Sequence, residues 1–63
     1  MIGEELKRLR REFGYTQKQL SKAIGCRNES CISAWEHSRR DLELVNPYYN
    51  ARIEELFFGE EVE

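Results

Sequence analysis

Apolar side chains recur at helical intervals along most of this 63-residue chain, and the polar residues between them mark where each helix starts and stops. Ile2, Leu6, Leu9 and Phe13 fall at steps of four, three and four, so they share one helical face, with Lys7, Arg8, Arg10 and Arg11 mostly off it. This predicts a first helix that ends at Gly14. Thr16 stands where an N-cap belongs, and Gln19 three residues later completes a capping-box pattern. A second helix then runs from about Gln17 to Ile24, with Leu20, Ala23 and Ile24 on its buried side and Ala23 as the small residue at a helix crossing. Gly25 follows as a residue free to adopt positive φ.

The short polar stretch from Cys26 to Ser30 leads into another helical pattern, in which Ile32 and Trp35 sit three apart, so a third helix is predicted over roughly 29–38. Two helices joined by a short Gly-containing turn make a helix-turn-helix arrangement. Beyond it, Asp41 can cap a brief turn over Leu42–Val45. Asn46-Pro47 is a further start signal, because Asn caps well and Pro tolerates the first helical position. Tyr48, Tyr49, Ile53, Leu56 and Phe57 follow at helical spacing as far as Gly59. This last helix, with Phe58 beside Phe57, is more apolar than so small a monomer covers, which makes Tyr48, Tyr49, Phe57 and Phe58 the expected dimer surface. The expected fold is an all-α bundle of four to five short helices, one domain over 1–59 with its helix-turn-helix at about 16–38. Residues 60–63 form an acidic C-terminal tail.

Length narrows the function. Below roughly 70–80 residues a single core seldom supplies more than about 3–5 kcal/mol, and there is no room for a deep substrate cleft lined from distant segments. An enzyme is not expected, since no nucleophile–base constellation is present. No apolar stretch reaches the roughly 18 residues of a membrane span, and the N-terminal residues lack the apolar centre of a signal peptide, so a cytoplasmic protein is expected. Cys26 and Cys31 are too few for a disulfide framework and read as reduced packing residues. With His37 they make three candidate zinc ligands, without the close Cys pairs or fourth ligand of a structural site; no metal and no cofactor are expected.

The net charge of −2 conceals a segregation: residues 7–40 carry nine bases against three acids, and residues 41–63 one base against seven acids. A basic segment joined to an acidic end suits a domain presenting one face to a polyanion, because Lys and Arg displace counterions condensed on phosphates.

The phrase Thr16-Gln17-Lys18-Gln19-Leu20 … Gly25, followed by Ile32-Ser33-Ala34-Trp35-Glu36 and by Arg39-Arg40, resembles the Cro/repressor-type (XRE) helix-turn-helix family over residues 2–40. That resemblance implies a lambda-repressor-like bundle that binds a double-stranded DNA operator as a homodimer and regulates transcription, most often as a repressor in bacteria, phages or mobile elements. It also implies that the third helix enters the major groove while the start of the second touches the DNA backbone. Carried over residue by residue, it makes Gln17 a backbone contact, puts Glu29, Ser30, Ser33 and Ala34 at or near recognition positions, and puts His37, Arg39 and Arg40 in the turn that follows. Arg10 and Glu36 match a pair that joins helix one to helix three in several members. The turn before Ile32 is a residue longer than the family's usual spacing, and the region after Arg40 is shorter than the usual pair of closing helices.

The side chains suit these roles chemically. Asn28 can pair with adenine, Arg27 with guanine or phosphate, and Glu29 with the cytosine amine; Ser30 and Ser33 can donate or accept. Asn28 and Ser30 suit helix capping equally well. Thr16, Gln17 and Lys18 lie where the start of a helix can meet a phosphate. Trp35 shares its spacing with Ile32 and reads as core. The other reading is a protein-interaction or antitoxin module of the same fold, with a protein partner on its aromatic last helix.

Overall fold

The computed structural model describes residues 1–59, so the acidic tail expected at 60–63 lies outside the described residues. Those residues form an all-α bundle: α1 (Gly3–Glu12), α2 (Gln17–Ile24), α3 (Glu29–Glu36), α4 (Leu42–Val45) and α5 (Pro47–Phe58). Each boundary has a local cause. Thr16 and Gln19 close a reciprocal capping box, the Gln19 N–H donating to Thr16 Oγ1 and the Thr16 N–H to Gln19 Oε1. Asn28, Asp41 and Asn46 cap α3, α4 and α5 from one side only, accepting from Ser30, Glu43 and Tyr49 N–H groups. Gly25 ends α2 at φ +79°, the left-handed conformation that favours glycine.

The core draws on every helix: Leu6 and Leu9 from α1, Leu20 and Ile24 from α2, Ile32 from α3, Leu42 from α4, Ile53 and Phe57 from α5. Gly3 sits where α1 crosses the end of α3, and a Cβ there would overlap the Trp35 and Glu36 carbonyls. Near it the Met1 ammonium donates to Asp41 Oδ1 and to the buried Asn50 Oδ1, while Leu42 N–H donates to the Met1 carbonyl. The first residue thereby ties α1 to α4 and α5.

Four expectations are corrected. Ile2 and Phe13 are exposed rather than buried with Leu6 and Leu9, because each lies just beyond an end of α1, where the helical face no longer directs it inward. Ala23 is exposed; the small buried residue of α2 is Ser21, whose hydroxyl donates to the Lys18 carbonyl at 2.8 Å and so brings no unpaired polar group inside. α3 stops at Glu36, two residues short of the expected end. Phe57 is 7% exposed, its ring 4.8 Å from that of Phe13 and 6.0 Å from that of Tyr15, so it is core and not a free dimer contact.

Candidate nucleic-acid interface

α2 and α3 are held by one polar network. Arg10 of α1 donates through Nε to Glu36 Oε2 at 2.5 Å and through Nη1 to the Tyr15 carbonyl at 2.9 Å, while Gln17 Nε2 donates to Glu36 Oε1 at 3.1 Å. The Glu36 side chain is 2% exposed, so its charge is compensated inside the bundle by these donors. The Gln17 bond sets the start of α2 against the end of α3. It thus brings the residue before Lys18 against the residue before His37, and Lys18, His37, Arg39 and Arg40 are all exposed.

α3 turns Ile32, Trp35 and Glu36 inward. At 100° per residue the opposite stripe is Ser30, Ala34 and the C-cap His37, with Ser33 at its edge, while Glu29 falls close to the Glu36 direction and is exposed as the first residue of the helix. Ser33 is half-buried and the others are exposed. No Lys or Arg lies within α3; the bases stand at its ends, Arg27 before it and Arg39 and Arg40 after it. An eight-residue helix is about 12 Å long, comparable to the roughly 12 Å width of the major groove, so bases at its two ends can address phosphates on opposite walls.

The structure sorts the expected contacts. Arg27, Glu29, Ser30, Ala34, Arg39 and Arg40 are exposed, with side chains free to meet a ligand, as is that of Lys18. Thr16 and Asn28 are exposed too, but their oxygens already accept capping bonds. Gln17, expected at the DNA backbone, directs its amide to Glu36. His37 Nδ1 lies 2.8 Å from the Ser33 carbonyl, so it donates there, and the residue is exposed. Cys26 is buried and Cys31 half-buried; burial first, and then the neighbouring Cys31, pushes the Cys26 thiol pKa up, away from thiolate chemistry. Among the described residues no cluster of three or more His, Cys, Asp or Glu side chains is placed to hold a metal ion.

No protein-family model, curated protein or solved structure matches the chain. No helix of the described residues is long and apolar enough to cross a membrane.

Sequence reasoning missed the links that fix the turn from behind. Arg52 Nε donates to the Ile24 carbonyl at 2.7 Å and Tyr49 Oη to the Gly25 carbonyl at 3.4 Å, so α5 satisfies the last carbonyls of α2. Arg52 was the one base in an acidic segment, a signal visible in the charge pattern. Of the expected dimer residues, Tyr49 packs its ring 5.4 Å from that of Trp35 and is half-buried. Tyr48 and Phe58 stay exposed, and the α4–α5 junction adds Leu44, 82% exposed, and Val45.

Proposed function

We propose that this chain is a sequence-specific, double-stranded DNA-binding transcriptional regulator of the Cro/repressor helix-turn-helix type, acting as a homodimeric repressor with α3 in the major groove. The observation that carries this reading is the outward side of α3, where Ser30, Ser33 and Ala34 are small and uncharged and exposed bases flank the helix at both ends. A stripe of Ser and Ala lets the helix axis approach base edges closely, while Arg27, Lys18, Arg39 and Arg40 supply the phosphate contacts that position it. The Arg10–Glu36–Gln17 network serves as the rigid support, since groove readout needs α2 and α3 held at a fixed angle.

Selection from a random duplex library, followed by affinity measurements at several salt concentrations, tests the proposal. A two-fold-symmetric sequence with half-sites about one helical turn apart, bound with a steep salt dependence, is expected. Weak binding with no enriched sequence rejects it.

A second reading, a protein-interaction or antitoxin module, is favoured by the exposed apolar Leu44, Val45 and Tyr48 at the α4–α5 junction. Under the first reading this surface serves the second copy of the chain. Arg39→Ala/Arg40→Ala separates the two readings, abolishing DNA binding under the first and leaving partner capture intact under the second.

A further inference from the structure

The chain's two cysteines bound the turn between α2 and α3. Gly25 ends α2, and the Cys26 N–H then donates back to the Ser21 carbonyl at 2.8 Å, which tucks Cys26 beneath the helix end with its side chain in the core. Four exposed residues follow. Cys31 then returns in the first turn of α3, half-buried against the same core cluster. The Cys26 sulfur lies inside the turn, where the Arg27 and Asn28 backbone N–H groups approach it and where the Cys31 thiol is close enough to hydrogen-bond with it.

We propose that Cys26 and Cys31 form a thiol–disulfide modification site, closed by a peroxide and reopened by a thiol reductant, and that its closure shifts the first turn of α3. Burial raises the Cys26 thiol and keeps it protonated, so the more exposed Cys31 meets the oxidant first. The Cys31 sulfur attacks the peroxide: an S–O bond forms as the O–O bond breaks, and the thiol proton leaves in water, giving a sulfenic acid. The Cys26 sulfur then attacks the Cys31 sulfur. The S–S bond forms, the S–O bond breaks, and the hydroxyl departs with the Cys26 proton as a second water. Two thiol groups of a reductant reverse the closure and are themselves oxidised to a disulfide.

Sulfurs in non-bonded contact must approach to about 2.05 Å to bond, so part of the turn has to move. The far end of α3 is anchored through Glu36 to Arg10 and Gln17. The polar bonds of its first turn, from Ser30 N–H to Asn28 Oδ1 and from Cys31 N–H to the Asn28 carbonyl, lie wholly within the turn, so this end yields. The exposed Arg27 and Ser30 move with it. On the DNA-binding reading above, on which this consequence alone rests, oxidation withdraws the entering end of α3 from the groove and weakens binding.

The test treats the reduced 63-residue chain with hydrogen peroxide. It follows intact mass, free thiols alkylated after denaturation, and affinity for the duplex that the reduced chain selects. The monomer is expected to lose the mass of two hydrogens and both thiols, and dithiothreitol to restore them. Affinity for the duplex falls on oxidation by roughly 5- to 150-fold, the worth of one base contact, and returns on reduction. Cys31→Ala, a good helix former at a half-buried helical position, keeps its affinity through the same treatment. Both thiols surviving, oxygen added to the cysteines without a disulfide, or a disulfide that only links two chains overturns the site. A disulfide closed within the chain with duplex affinity unaltered overturns the shift of α3. If the reduced chain enriches no duplex, the DNA-binding reading fails by itself, while the mass and thiol counts still decide the pair.

Discussion

The Arg10 guanidinium and the Glu36 carboxylate meet at 2.5 Å across 26 residues of chain, joining α1 to the end of α3 where both side chains are nearly withdrawn from water, at 11% and 2% exposure. Breaking such a pair from one side leaves a buried charge uncompensated, at about 3–5 kcal/mol. A chain of this size seldom holds more than about that much stability in all. Glu36→Ala is therefore expected to be largely unfolded at 25 °C by circular dichroism. Replacing both partners, as in Arg10→Met/Glu36→Met, removes the charges together and restores a cooperative urea transition. A Glu36→Ala protein that melts with the unaltered chain would refute the assignment.

Acid stability depends on Asp41. The Met1 ammonium and the Glu43 N–H hold its carboxyl below the ordinary aspartate range. Because its folded pKa is depressed, the stabilisation is fully present above the unfolded value of about 3.9 and is lost as pH falls through the folded one. Asp41→Asn keeps the α4 cap but removes the charge, so urea midpoints of the variant and the unaltered chain should be fully apart above about pH 4 and draw together as pH falls through the depressed folded pKa. Acetylating the Met1 amine of the 63-residue chain should flatten the same acid limb. Parallel profiles for the variant and the unaltered chain would show that the pair contributes nothing.

Much of this architecture was legible along the chain. The capping box at Thr16–Gln19, the Asn46-Pro47 start and the positive-φ Gly25 are local signals, and each acts within a few residues of itself. The Arg10–Glu36 pairing came from the family resemblance and holds in the structure. What could not be read was decided by tertiary packing. Whether Ser21 or Ala23 faces the crossing depends on the angle of α2 against its neighbours, and periodicity alone chose the more apolar one. Phe57 and Phe58 look equivalent in sequence, yet the ring of Phe13 covers Phe57. Gln17 looked free for a ligand until α3 brought Glu36 within reach.

Gly3 makes a prediction against helix propensity. Alanine in a helix is ordinarily worth about 1 kcal/mol over glycine, so Gly3→Ala should stabilise α1 on propensity alone. Instead the new Cβ meets the Trp35 and Glu36 backbone carbonyls, which cannot rotate away, and α1 must lift from α3. At Gly25 the added Cβ finds only Arg52 Nη2, at 3.9 Å, so Gly25→Ala costs just the left-handed strain of about 1–2 kcal/mol. Thermal melts should rank Gly3→Ala below Gly25→Ala, and the reverse order would mean that the α1–α3 crossing is looser than described.

Salt dependence separates positioning contacts from reading contacts on the proposed DNA face. Arg39→Ala and Arg40→Ala should each weaken binding to every duplex alike and lower the slope of log affinity against log salt by about one unit per lost phosphate contact. Neither should alter the selected sequence. Lys7, on the outer side of α1, serves as the control, and Lys7→Ala should leave the slope unchanged. Equal slopes for all three variants would remove Arg39 and Arg40 from the interface.

Trp35 is the only tryptophan of the chain, and it lies half-buried on the inner side of α3 against Tyr49, turned away from the stripe proposed to meet DNA. The protein thus carries its own optical gauge. A ligand on the outer stripe does not touch the indole, so any change in emission on adding one registers movement of α3 against α5, and a silent spectrum alongside tight binding identifies a helix that docks without shifting.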